Sequence, residues 1–275
     1  MKKDLKAILD YLNEQRGLDF SGYHSSIVER RIKEIFSDVM CKDCSEYLHY
    51  IKEHPDTLDK LFDALTINVS RFFRNALTFE YIAKNILPLI FSKKIWTHDY
   101  SLRIWSAACS TGEEPYSLAI LLNELLEKED LGLNLNIFAT DIDKQTLKKA
   151  QEGVYSFEQI ENVKYGILKK YFIKQDESFR LSPEIKKMVN FSFYDILDKR
   201  SYAPPESVFA NFDMVFCRNL LIYYNTEYQE LIFDKLYHSL AKNGYLILGD
   251  VERPTTKYQR YFKEVCECCY VYQKR

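Results

Sequence analysis

Apolar side chains recur every three or four residues through the first 67 positions. The sets are Leu5, Ile8, Leu9, Leu12; Val28, Ile32, Ile35, Val39; Tyr47, Leu48, Ile51; and Leu58, Leu61, Phe62, Leu65. This spacing puts each set on one face of a helix, and nothing here alternates as a strand would. The pattern predicts a small helical module, with Ser45 capping its third helix. A polar-aromatic junction, 68–75, leads to a helix carrying Phe79, Tyr81, Ile82 and Ile86 and ended by Pro88. From residue 102 the pattern changes. Short apolar runs predict strands at 102–109, 135–141, 189–196, 212–217 and 244–249, and helical periodicity predicts helices at 115–128, 144–151 and 226–241. Strands alternating with helices imply parallel crossovers and a doubly wound sheet. Residues 165–182 interrupt the alternation as a short β insert, and 261–273 alternate as added antiparallel strands at one sheet edge. The expectation is an α/β chain with a helical domain over 1–67 and a doubly wound domain over 68–275, of which 68–88 are linker and first helix.

Composition narrows the function classes. A net charge of −2 argues against a nucleic-acid binder driven by bulk charge. No apolar run is long enough to cross a membrane, and the basic start is followed by an amphipathic pattern rather than a signal core. Seven cysteines, mostly in apolar strands, fit reduced thiols in the cytoplasm. Cys41-x-x-Cys44 alone is a weak zinc signal, and Cys266, Cys268 and Cys269 lack a usual ligand spacing, so no metal is expected.

The chemistry concentrates in Ile104-Trp-Ser-Ala-Ala-Cys-Ser-Thr-Gly-Glu-Glu-Pro-Tyr-Ser-Leu118. It reads as a buried strand, a sharp turn and a helix, which offers free backbone N–H groups and a positive helix end. Turns that cradle phosphates carry several glycines. This one has Gly112 alone and adds Glu113 and Glu114, which suits a ligand with a positive centre. The next strand ends in Asp141 and Asp143, and an acid there accepts both ribose hydroxyls. Asp143 reads as a helix cap and Asp141 as the ligand. A ribose, a cation and no phosphate chain describe S-adenosylmethionine.

Five motifs in order resemble the CheR family, the bacterial chemotaxis receptor methyltransferases. They are Asn68-Val-Ser-Arg-Phe-Phe-Arg74, the Trp105–Ser117 turn, Ala139-Thr-Asp-Ile-Asp143, Phe193-Tyr-Asp-Ile-Leu197 and Phe216-Cys-Arg-Asn-Leu-Leu-Ile-Tyr-Tyr-Asn225. With the helical module they span nearly the whole chain. The resemblance implies a class I, Rossmann-like methyltransferase domain. It also implies methyl transfer from S-adenosylmethionine to glutamate side chains on the cytoplasmic helices of chemotaxis receptors.

By the same resemblance, Asn68, Ser70 and Arg74 line the cofactor site from the junction. Glu113 reaches the methionine end and Asp141 the ribose. Asp195 and Ile196 flank the adenine, and Arg218 and Asn219 close the site after the fourth strand. Arg74 and Tyr223 are the implied substrate-orienting pair, an arginine fork being the natural clamp for a carboxylate. Arg30, Arg31 and Lys33 form the local basic stripe implied to meet the receptor. A monomer is expected.

The chain departs from the family pattern at Ser70, Asn75 and Asp195, where Thr, an acid and Asn are usual. It also departs at Gly249-Asp-Val-Glu252, where the family has Gly-His-Ser-Glu. Members that dock on a receptor's C-terminal pentapeptide carry a glycine-rich loop in the β insert. Residues 171–182 contain no glycine, so tethering of that kind is not expected. The competing readings are a non-catalytic S-adenosylmethionine-binding or receptor-docking module, a methyltransferase for another substrate, and a nucleotide dehydrogenase.

Overall fold

The computed structural model describes residues 2–16, 19–66, 70–129 and 132–275. Two compact units emerge: residues 1–68 with 222–229, and residues 69–221 with 230–275. The sequence boundary at 67/68 leaves 222–229 with the second domain, whereas their contacts put them in the first unit.

The first unit is helical, as the periodicity requires. Helices α1 (Lys2–Arg16), α2 (Ser25–Val39), α3 (Cys44–Glu53) and α4 (Thr57–Leu65) turn their apolar stripes inward. Leu5, Ile8, Leu12, Val28, Ile32, Tyr47, Ile51, Leu58, Leu61 and Leu65 are all buried. Asp43, rather than Ser45, caps α3: its carboxylate accepts the N–H groups of Ser45 and Glu46 at 2.9 Å. Ser45 lies one position too far along, and its own N–H is among the orphan donors to be satisfied.

The second unit opens with α5 (Ala76–Tyr81), a π-helical turn (Ile82–Ile86) and α6 (Leu87–Thr97). Pro88 does not end this helix as its sequence suggests. It takes a first-turn position of α6, where a missing N–H costs nothing, and the widened π turn precedes it.

The remaining elements are β1 (Ser101–Ala107), α7 (Glu113–Glu129), β2 (Asn134–Asp141), α8 (Lys144–Glu152), β3 (Val154–Ser156), α9 (Phe157–Ile160), α10 (Tyr165–Tyr171), β4 (Phe172–Gln175), β5 (Ser178–Leu181), α11 (Pro183–Lys186), β6 (Val189–Phe193), β7 (Phe212–Cys217), α12 (Thr226–Ser239), β8 (Leu240–Leu248), α13 (Thr256–Gln259), β9 (Phe262–Cys266) and β10 (Val271–Lys274). The seven-stranded sheet runs β6-β2-β1-β7-β8-β10-β9. Its first five strands are parallel and β10 pairs antiparallel to both neighbours, so the tail closes the edge as its alternation predicts. Strand order reverses between β1 and β7, which makes the carboxyl ends of these strands the ligand crevice of a doubly wound sheet. The β insert is larger than the sequence suggests. The β4–β5 hairpin recruits β3, in the order β3-β5-β4, and α10 replaces the first part of the expected hairpin. No helix among the described residues is long and apolar enough to cross a membrane.

Candidate active site

The turn from β1 into α7 is tightly coiled. Ala108 (φ 59°), Ser110 (φ 50°) and Gly112 (φ 91°) are all left-handed. For alanine and serine such a backbone costs about 1 kcal/mol or more each and persists only where surroundings impose it. Here they do: Cys109 N–H donates to the Thr140 carbonyl at 2.9 Å and the Tyr155 hydroxyl to the Thr111 carbonyl at 2.9 Å. At Gly112 a side chain would also stand 3.0 Å from the Ala150 Cβ, so glycine is needed for both conformation and space. The buried Ser110 hydroxyl oxygen has no hydrogen-bond partner.

Asp141 ends β2 and locks this turn from the next strand. One carboxylate oxygen accepts Ser110 N–H at 2.8 Å and the other Asp143 N–H at 3.0 Å. The Ile142 N–H bonds the carboxylate as well, and a carboxylate's two oxygens offer about four acceptor positions in all. Burial pushes the Asp141 carboxyl up to about 6, against the opposing pull of those N–H donors. Asp143 caps α8, accepting Gln145 N–H at 2.8 Å and Thr146 N–H at 3.2 Å.

A sign follows for cofactor binding. A ribose donating to Asp141 requires the ionised carboxylate. With the carboxyl raised to about 6, binding near pH 6 should release about half a proton per chain; well above that pH it should release none. Calorimetry in buffers of different ionisation enthalpy measures this directly. Proton uptake near pH 6, or Asp141→Ala with unaltered cofactor affinity, would contradict the ribose role. The carboxylate's loss should cost about 2–4 kcal/mol.

Glu113 is wholly buried at the start of α7, yet it is not solitary. It accepts the Thr111 hydroxyl at 2.7 and 2.9 Å and the Gln159 amide at 2.5 Å, and it bonds the Ser70 side chain. Burial raises its pKa and these donors oppose the rise. Glu113 is therefore the hub that ties the junction, the β1–α7 turn and α9 together.

Glu114 belongs to a second network. It accepts the Ser106 hydroxyl at 2.8 Å and pairs with Arg218 at 3.2 Å, their side chains 13% and 2% exposed. Arg218, just beyond β7, also donates to the Arg74 carbonyl at 3.0 Å and the Asn75 side chain at 2.6 Å, and Asn75 donates to Asp250 at 2.6 Å. Phe73 (φ 50°) and Asn75 (φ 62°) are left-handed on either side of Arg74. Arg74 thus sits, half-buried, on a turn fixed from the sheet.

The β7 loop is held from β8. Glu252 accepts the N–H groups of Asn219 (2.8 Å), Leu221 (2.8 Å) and Gly249 (2.7 Å). A side chain at 249 would approach Asn219 N to 2.6 Å, so this crossing of loops demands glycine. After β6, Tyr194 N–H donates to the Asp141 carbonyl at 3.1 Å. Asp195 accepts Leu197 N–H at 2.8 Å, and Ile196 is buried.

The second unit thus gathers Ser70, Arg74, Glu113, Asp141, Asp195, Ile196, Arg218 and Asn219 on the loops at one end of the parallel strands. Asn68 lies outside the described residues. Tyr223 belongs to the first unit, where its carbonyl accepts His24 N–H at 2.9 Å and its ring stacks on Tyr23 at 6.2 Å. Arg30 and Arg31 lie on α2 beside Glu34, at 3.9 and 3.6 Å, which trims the basic stripe; Lys33 is exposed. Gln159, Glu114 and Glu252 are supporting residues to which the sequence alone assigns no such bracing role. Glu252 stands in a recognisable motif and could have been found there; Gln159 carries no such signal.

None of the five histidines falls in these loops. Cys109 and Cys217 do border them, but burial, then neighbouring carboxylates, holds both thiols well above their usual range. Neither is a nucleophile at neutral pH. The loops offer acids, amides and arginines, and among the described residues they hold no histidine and no activated thiol.

Such a fold and donor set define an S-adenosylmethionine-dependent methyltransferase. The anchored Asp141, the unpartnered Ser110 hydroxyl and a turn without a phosphate cradle all fit that cofactor. Residues 68–269 match the family profile described as CheR methyltransferase, SAM binding domain, and residues 3–66 match CheR methyltransferase, all-alpha domain. Chemotaxis protein methyltransferase from Borreliella burgdorferi is 30% identical over 91% of this chain and 88% of its own length. Chemotaxis protein methyltransferase 1 from Pseudomonas aeruginosa is 31% identical over 90% and 89%. The chain belongs to the CheR methyltransferase family.

Proposed function

We propose that this enzyme methylates glutamate side-chain carboxylates on the cytoplasmic helices of chemotaxis receptors, forming methyl esters during sensory adaptation. The observation that carries the reading is the chemistry of the loops: arginines and acids surround the crevice, and no histidine or activated thiol does. A glutamate is already ionised at neutral pH and needs no base to become a nucleophile. Bound S-adenosylmethionine supplies an electrophilic methyl group on a sulfonium.

The residues then divide the remaining work. Asp141 accepts the ribose hydroxyls, and Ser70 and Glu113 order the methionine end. Asp195 and Ile196 border the adenine, and Asn68 and Asn219 complete the cofactor contacts. Arg218 holds the Arg74 turn in place. Arg74 clamps the substrate carboxylate through its planar fork, and Tyr223 acts on the same carboxylate. Alignment of the reacting groups and exclusion of water supply the rate, because charge is neutralised as the ester forms.

The first unit serves as the receptor-docking module, with Arg30, Arg31 and Lys33 meeting an acidic receptor helix. The enzyme works as a cytoplasmic monomer and does not need a receptor's C-terminal pentapeptide. The β4–β5 turn, Asp176-Glu177, carries two acids and no glycine, a poor closure over an acidic peptide. Docking should weaken with salt. Methylation of a receptor with its tail removed should match that of the intact receptor; activity that collapses on tail removal would refute untethered docking. The reading as a whole is tested by mapping methyl groups on a purified receptor cytoplasmic fragment by mass spectrometry. Methyl on glutamate supports it, and methyl on lysine alone, or on no receptor residue, overturns it.

A further inference from the structure

Three cysteines that the methyl-transfer reading does not use meet at the β9–β10 hairpin, where the Cys269 thiol lies 3.9 Å from the Leu77 carbonyl. Cys266 ends β9, while Cys268 and Cys269 lie in the turn that follows. Their sulfurs all lie within 4.8 Å of one another, and those of Cys266 and Cys268 are 3.8 Å apart. Cys269 is buried, Cys266 half-buried and Cys268 exposed, so the cluster has a dry floor and an open mouth. The turn is held by its own backbone. Tyr270 N–H donates to the Glu267 carbonyl at 3.3 Å, and Leu248 N–H on β8 donates to the Tyr270 carbonyl at 3.0 Å. Sulfurs mounted on such a scaffold are already gathered before any ligand arrives.

The spacing matches a metal better than a disulfide. A disulfide uses two sulfurs and leaves the third unexplained. Three sulfurs bonded at about 2.3 Å to one ion stand roughly 4 Å apart, whether the arrangement is planar or tetrahedral. An all-sulfur set selects soft, thiolate-seeking ions over magnesium or calcium. The sequence expectation of no metal follows from the irregular Cys-x-Cys-Cys spacing. That spacing suits a helix or zinc ribbon poorly but is natural in a tight turn closing a hairpin.

We propose that Cys266, Cys268 and Cys269 form a three-thiolate site for one thiophilic d10 cation, zinc or monovalent copper. Each thiol releases its proton to solvent as its sulfur–metal bond forms, and no oxidation state changes. Zinc would take water as a fourth ligand at the open mouth beside Cys268, whereas monovalent copper is satisfied by three sulfurs. Either ion would fasten the sheet-edge hairpin. The cluster takes no part in the methyl-transfer chemistry, and its assignment does not depend on the substrate.

The test uses the full chain, reduced and metal-free, in oxygen-free buffer. Zinc is titrated against a chromophoric chelator, and monovalent copper against its own competitor. One ion per chain should bind in at least one arm. Cys268→Ser, an exposed position where folding is safe, should weaken binding by at least the roughly 100-fold that loss of outer-sphere partners already reaches. The Cys41→Ser/Cys44→Ser double variant should bind as the parent does. Failure of both ions to reach one per chain, undiminished binding by Cys268→Ser, or loss of binding in the Cys41/Cys44 variant would overturn the proposal.

Discussion

Replacing Arg74 by alanine should lower turnover by about 100-fold or more while S-adenosylmethionine affinity falls far less. The expectation rests on a division of labour. The proposed cofactor ligands are anchored elsewhere: Asp141 is fixed by Ser110 and Asp143, and Glu113 by Thr111, Gln159 and Ser70. Arg74 brings a guanidinium, a group suited to a carboxylate, on a turn whose carbonyl Arg218 grips at 3.0 Å. Arg74→Lys should recover only part of the loss, because an ammonium keeps the charge and lacks the bidentate fork. Calorimetry for cofactor affinity and single-turnover methylation for rate separate the two effects. Equal losses in both would make Arg74 a cofactor ligand instead.

The second large effect concerns stability. Arg218→Ala should destabilise the fold by about 3–5 kcal/mol, the cost of leaving a buried partner charge uncompensated. The change would strand the Glu114 carboxylate, 13% exposed, and remove the donor shared by the Arg74 carbonyl and the Asn75 side chain. The double variant Glu114→Gln/Arg218→Met removes both charges and should be less damaging than Arg218→Ala alone. Urea unfolding of the three proteins decides this. A loss below about 1 kcal/mol for Arg218→Ala would show that the network does not brace the turn. Wild-type activity in the double variant would show that Arg74 needs no such brace.

Much of the architecture was legible in the sequence because its signals are local. The parallel strands are continuous apolar runs covered on both faces, which is why 135–141 and 212–217 could be placed nearly to the residue. The place of Asp141 was legible too: the second apolar run ends on it, and it stands at the end of β2. The helical module announced itself by apolar spacing alone.

What stayed hidden depends on partners far along the chain. Glu114 is equally at home as a first-turn acid of any helix, and only its meeting with Arg218, 104 residues away, gives it a structural role. Gln159 lies in a four-residue helix behind a capping box at Ser156, with no motif to mark it as the amide that satisfies buried Glu113. Pro88 misleads because the π turn before it lies in no residue type. Asp43 and Ser45 are both good caps, and backbone geometry chooses between them. The three thiols of the β9–β10 hairpin become neighbours only when the turn folds back on β8.

The central claim, methyl ester formation on receptor glutamates, is met most directly by one assay. The protein is incubated with methyl-labelled S-adenosylmethionine and receptor-rich membranes, and the label on the receptor band is followed through mild alkali. A carboxyl ester loses its methyl as methanol under those conditions, whereas methylated lysine or arginine does not. Alkali-labile label that appears with the wild-type chain and nearly vanishes with Arg74→Ala is the expected result. Label that survives alkali, or that never reaches the receptor, would contradict the claim.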